Sequence, residues 1–136
     1  MEYVLVLCTG NSCRSILAEA LINQLGAGRY QALSAGSKPA GFVHPKAIAT
    51  LKRHGVLVDE PRSKSWDELA AQHFDLVITV CDTAAGEICP LFPGNPKKLH
   101  WSTPDPAAAS GTEADITHAF EAAYDMLRTR IETELL

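Results

Sequence analysis

Apolar and polar positions alternate along the chain in blocks, and the blocks change period. Tyr3 to Leu7 is a short apolar run rich in β-formers, the pattern of a strand buried in a parallel sheet. Small and polar residues follow from Cys8 to Arg14, with Gly10 and Asn11 as turn formers. A helix is predicted from Ser15, because Leu17, Leu21 and Leu25 recur at helical spacing and Gly26 and Gly28 end it. Tyr30 to Ala35 reads as a second strand, closed by Gly36 and Pro39. A second helix runs from Pro45 to His54, with Ile48 and Leu51 inward and Gly55 as the stop. Ser65 to Gln72 reads as a shorter helix, with Ser65 as its cap and Glu68 in the capping-box position. Phe74 to Val80 is the clearest strand, and it too ends at a cysteine, Cys81. Residues 82–96 hold Gly86, Pro90, Pro93, Gly94 and Pro96, so they form an irregular loop. Lys98 to Trp101 reads as a last short strand and Thr103 to Gly111 as a loop. The final helix starts near Thr112 and sets Ile116, Phe120, Ala123, Leu127 and Ile131 on one face.

Strands alternating with helices imply an α/β fold. The expectation is a three-layer sandwich, a four-stranded parallel sheet with helices on both faces. With no internal repeat or linker, residues 1–136 read as a single domain, a size that needs no staples. Ligands in such folds bind beyond the carboxyl ends of the strands. Cys8 and Cys81 both lie at such ends, so two cysteines far apart in sequence can share one site.

Charge narrows the partners. The net charge is −4 and no Lys/Arg block exceeds two residues, which argues against nucleic acid. Any anion must be held by local geometry. No stretch resembles a membrane span or a secretory signal, so a cytoplasmic, monomeric protein is expected. In that compartment the 4 cysteines read as catalytic, redox or metal-binding before they read as structural. The spacings Cys8-x4-Cys13 and Cys81-x7-Cys89 match no common zinc pattern, and the histidines form no obvious pair; no metal and no cofactor are expected.

The chemistry concentrates in Cys8-Thr9-Gly10-Asn11-Ser12-Cys13-Arg14-Ser15, which has the form Cys-x5-Arg-Ser between a strand and a helix. A loop this short at a helix N-terminus turns backbone N–H groups inward, where they and the helix dipole suit a tetrahedral oxyanion. Arg14 adds a planar fork that binds two oxygens at once. The same surroundings are expected to lower the Cys8 thiol below its free pKa of about 8.5. Ser15 has a hydroxyl to offer the thiolate, Asn11 suits a brace in the left-handed region, and Cys13 reads as packing at the helix start.

With these residues the chain resembles the low-molecular-weight tyrosine phosphatase superfamily over nearly its whole length. Cys8 to Ser15 looks like the family's phosphate-binding loop, Ser34-Ala35-Gly36 like its second-strand ending, and Asp105-Pro106 like its general-acid loop. Within the superfamily it is closer to the arsenate reductases, through Val80-Cys81-Asp82, Cys89-Pro90 and Lys98-Leu99-His100-Trp101. Ala107 and Ala108 stand where a phosphatase carries a tyrosine pair. The resemblance implies arsenate as substrate, with phosphate or sulfate as analogues. It also implies Cys8 as nucleophile, Arg14 as anion clamp, Asp105 as acid, and a disulfide relay through Cys81 and Cys89 to a thioredoxin-type reductant. Related reductases often hold potassium near positions that match Asn11, Glu19 and Ser34. Here Ser63-Lys64-Ser65 stands where an acidic ligand is expected, and Lys64 can put an ammonium in the cation's place.

Overall fold

A computed structural model describes residues 1–58, 61–81, 93 and 95–136. Four strands form one parallel sheet: β1 (Glu2–Leu7), β2 (Tyr30–Ala35), β3 (Leu76–Thr79) and β4 (Lys97–His100), in the order β2-β1-β3-β4. The register pairs Leu7 with Ala35 on one side and with Thr79 on the other. The chain leaves β1 toward β2 and must then cross back to β3. The switch point therefore lies between the carboxyl ends of β1 and β3, where Cys8 and Cys81 begin their loops.

Alternation along the strands divides the core. Val4, Val6, Ala32 and Ile78 join the main cluster with the helices, whereas Leu5, Leu7 and Val77 form a smaller cluster with Ala35 and Phe74 on the opposite face. Helices α1 (Arg14–Leu25), α2 (Pro45–Arg53) and α3 (Glu113–Glu134) make the first layer. Helix α1 buries Ile16, Leu17, Ala18, Leu21 and Ile22 because it is packed by the sheet on one side and by α2 and α3 on others. Helix α3 turns Phe120, Ala123, Tyr124, Leu127 and Ile131 inward and begins with a complete capping box between Thr112 and Asp115. Ile116 of the expected inner face packs only partly against the core.

On the far face, Trp66 and Leu69 cover the smaller cluster. The helix expected from Ser65 to Gln72 is one 3-10 turn, Trp66–Leu69. Ser65 caps it as expected, but its hydroxyl accepts from Asp67 N, and Glu68 does not complete a capping box. Both Glu68 carboxylate oxygens instead take Arg62, at 2.8 and 3.2 Å. Two of the histidines also prove engaged: His44 caps α2 through Lys46 N and lies 5.1 Å from the Phe120 ring, and His54 stacks on Tyr124. Among the described residues no helix is long and apolar enough to cross a membrane.

Candidate active site

The loop after β1 owes its shape to chain segments that run outside it. In a trans peptide the carbonyl and the following N–H point to opposite sides, so pinning a carbonyl outward turns the next amide inward. Thr9 O accepts from Lys38 N at 3.0 Å, Gly10 O from Ala40 N at 2.9 Å, and Ser12 O from His44 N at 3.0 Å. The amides of Gly10, Asn11 and Cys13 are thereby directed into the loop. Cys13 O accepts from Leu17 N as α1 begins, which brings the helix N-terminus to the same point.

Asn11 stands at φ +45°, in the left-handed region, and is fully buried. Its side chain holds that conformation: Nδ2 donates to Ser15 Oγ at 2.8 Å and to Ser34 Oγ at 2.9 Å, and Oδ1 accepts from Lys64 N at 2.9 Å. Gly36 lies against the outside of the loop. A Cβ there would collide with the carbonyl oxygens of Cys8 and Thr9, and Gly36 cannot retreat, because its N–H donates to Lys64 O and its carbonyl accepts from Trp66 N.

Cys8, Thr9, Gly10, Asn11, Ser12, Cys13 and Arg14 line a cavity of about 200 Å³ with Asp105 and Ala107. Ser15 lies beneath it as a bracing residue and does not line it. Arg14 is the first residue of α1. Its Nη1 donates to Thr103 O at 2.9 Å and its Nη2 lies 3.8 Å from Asp105 Oδ2. Its Nε is buried and makes no hydrogen bond. Asp105 both caps and faces the cavity: Oδ1 accepts from Ala107 N at 3.0 Å and starts the 3-10 turn Pro106–Ala108, leaving Oδ2 toward Arg14. The small side chain of Ala107 forms part of the rim.

A second cleft of about 530 Å³ adjoins the first and is lined by Thr9, Arg14, Cys81, Ser102, Thr103, Pro104 and Asp105. Cys81 is buried, and its Sγ lies 3.4 Å from the Thr9 N–H, which donates to it. The sheet register makes this contact, since Val80 N donates to Leu7 O and so sets the two strand ends side by side. Cys89, the third expected member of the relay, lies outside the described residues.

One expectation is reversed. Cys8 is not held as a low-pKa thiolate in this form: its hydrogen bond with Cys81 and its burial push the thiol well above its ordinary value. Arg14 and the Gly10 backbone pull it down without prevailing. A buried thiol hydrogen-bonded to a second sulfur holds its proton, and sequence spacing does not reveal that contact. Burial, the largest cause, likewise raises the Cys13 thiol. Removing the second sulfur is therefore expected to release the first. Cys81→Ala shifts the pH profile of Cys8 alkylation by iodoacetamide to lower pH and speeds the reaction at neutral pH. An unchanged profile would show that Cys81 does not hold the Cys8 thiol protonated.

Behind the loop, Ser34 Oγ donates to Glu19 Oε2 at 2.9 Å. Burial pushes the Glu19 carboxyl up and the Lys64 ammonium down, and the attraction between the two opposes both shifts. Lys64 is 8% exposed. The Lys64 ammonium lies close enough to pull the Glu19 carboxyl down against its burial, and its Nζ donates to Arg62 O at 3.5 Å. Among the described residues no group of three or more His, Cys, Asp or Glu side chains is placed to hold a metal ion.

The chain belongs to the low molecular weight phosphotyrosine protein phosphatase family, whose model matches residues 3–135. Its relatives within that family include arsenate reductases. One from Halalkalibacterium halodurans is 37% identical, over 97% of this chain and 94% of its own length. A solved structure of an arsenate reductase in the phosphate-binding state aligns with a TM-score of 0.78 at 28% identity, over 98% of this chain and 95% of that one. A thioredoxin-dependent arsenate reductase of Corynebacterium glutamicum aligns with a TM-score of 0.71 at 27% identity, over 98% of this chain and 61% of that one.

The outer wall of the site is not legible in the sequence. Lys38, Ala40 and His44 act through backbone N–H groups, which side-chain identity does not disclose. The signals available are the punctuating Gly36, Pro39, Gly41 and Pro45.

Proposed function

We propose that this protein reduces arsenate to arsenite in the cytosol, with Cys8 as nucleophile and a thioredoxin-type protein as electron donor. The observation that carries the reading is the pairing of an oxyanion loop with a second buried sulfur at its rim. Arg14 Nε is a buried donor with no protein acceptor, which a bound oxyanion supplies. The inward amides of Gly10, Asn11 and Cys13 complete the cradle. Cys8 attacks arsenic and Asp105 protonates the departing oxygen as water. Cys81 then attacks Cys8 Sγ. The As–S bond breaks, arsenic leaves as arsenite with the electron pair, and a Cys8–Cys81 disulfide remains. Cys89 attacks Cys81, which restores the Cys8 thiol and forms Cys81–Cys89, and the external dithiol reduces that bond. Ala107 at the rim leaves the cavity open to a small inorganic anion without an aromatic wall on that side.

The test couples arsenate to oxidation of thioredoxin, with aryl phosphate hydrolysis measured in parallel. Wild type is expected to consume reductant only with arsenate. Peptide mapping should show Cys81–Cys89 in the oxidised wild type and Cys8–Cys81 in Cys89→Ser, which stops after about one turnover because the resolving thiol is gone. Aryl phosphate hydrolysis without any arsenate-dependent oxidation would replace the reductase with a phosphatase.

A further inference from the structure

Among the described residues, the wall that turns the loop amides inward includes a side chain, that of Ser63. Its hydroxyl donates to Gly10 O at 3.1 Å and its oxygen accepts from Gly41 N at 3.2 Å. Among the described residues Gly10 O has two outward donors, Ser63 Oγ and Ala40 N, while Lys38 N donates to Thr9 O and His44 N to Ser12 O. The doubled contact falls at the peptide that most needs it. Rotating the Gly10–Asn11 peptide by half a turn alters only ψ of Gly10 and φ of Asn11. Glycine tolerates either value, and Asn11 would move from φ +45° to the negative region that non-glycine residues prefer. The rotated peptide would aim a carbonyl oxygen at the anion in place of an N–H. The anion-binding orientation is therefore the locally disfavoured one, and it persists through the Asn11 side-chain bonds together with contacts made to Gly10 O from outside.

We infer that Ser63 is a positioning residue that locks the Gly10–Asn11 peptide with its amide facing the oxyanion. This rests on the oxyanion reading of the loop and is independent of the sulfur relay. Two outward donors on Gly10 O also polarise that peptide and strengthen the Asn11 N–H as a donor. The residues that follow Ser63 brace the same loop. Lys64 N holds the Asn11 side chain, and Lys64 O and Trp66 N hold Gly36.

The experiment measures inorganic phosphate binding by calorimetry, steady-state arsenate reduction, and the Asn11 backbone amide by NMR. Ser63→Ala is expected to weaken phosphate binding about tenfold, the effect of one hydrogen bond to a carbonyl whose orientation the site requires. KM for arsenate should rise more than kcat falls, and the Asn11 amide resonance should shift and broaden as the peptide samples both orientations. Ser63→Thr keeps the hydroxyl and should restore all three. Ser63→Val matches threonine in shape without the hydroxyl, so the Thr/Val pair isolates the hydrogen bond even if the alanine variant loses its fold. Phosphate affinity equal in the Thr and Val variants would overturn the inference. So would weaker binding in Ser63→Ala with an unmoved Asn11 amide. If wild type itself bound no phosphate, the oxyanion reading would fall first and this inference with it.

Discussion

Cys8→Ser is expected to lower arsenate turnover by at least ~10⁴-fold, the scale seen when a covalent nucleophile is removed from an otherwise intact site. A hydroxyl neither forms the sulfur–arsenic bond nor offers Cys81 a sulfur to attack, so both halves of the proposed cycle stop. Phosphate binding should persist, because Arg14 and the inward amides remain. Single-turnover arsenate reduction beside phosphate calorimetry checks the two expectations together. Substantial turnover with Cys8 gone would place the nucleophile elsewhere.

Gly36→Ala should be nearly as damaging, from outside the cavity. The added methyl meets the carbonyl oxygens of Cys8 and Thr9, and the bonds of Gly36 to Lys64 and Trp66 prevent the strand end from moving away. Either the loop shifts or the strand end loses its partners. Overpacking of this kind costs about 1–3 kcal/mol of stability. Displacing a catalytic loop by about 1 Å costs on the order of a hundredfold in rate. Thermal unfolding and arsenate kinetics should both register it, whereas Gly28→Ala, at φ +86° with nothing within 4 Å, should cost stability through its backbone alone and leave turnover unchanged. Normal kinetics in Gly36→Ala would mean that the loop has room the structure does not show.

The elements with strong local signals are legible in the sequence. β1, the Cys8–Ser15 loop and α1 follow one another because an apolar run, a turn and a helical repeat are each written in consecutive residues. Thr112 marks the start of α3 as plainly, and the structure adds Asp115 as its capping-box partner. The sequence overstates the helix after Ser65 because Glu68 has a competing partner, Arg62, which a capping pattern does not reveal. It misleads on the titration of Cys8 for a related reason. The loop's positive character is local and visible, while the hydrogen bond with Cys81 depends on two strand ends meeting in space. Arg14 and Asp105 are placed as neighbours through a resemblance; spacing alone links residues 91 positions apart to nothing.

The segment from residue 38 to residue 44 has a consequence for how the protein tolerates change. It reaches the loop carbonyls through the amide hydrogens of Lys38, Ala40 and His44, so nearly any side chain at Lys38 or Ala40 leaves those two donors in place. An alanine at Lys38 would pass over it in silence; a proline at Lys38 or Ala40, which deletes the hydrogen, would not. Substitutions of charge, size or polarity at Lys38 and Ala40 are expected to keep the same path of backbone. Exposed side chains on that path, Phe42 among them, can then be reshaped to suit what approaches the cavity without disturbing the cradle behind it.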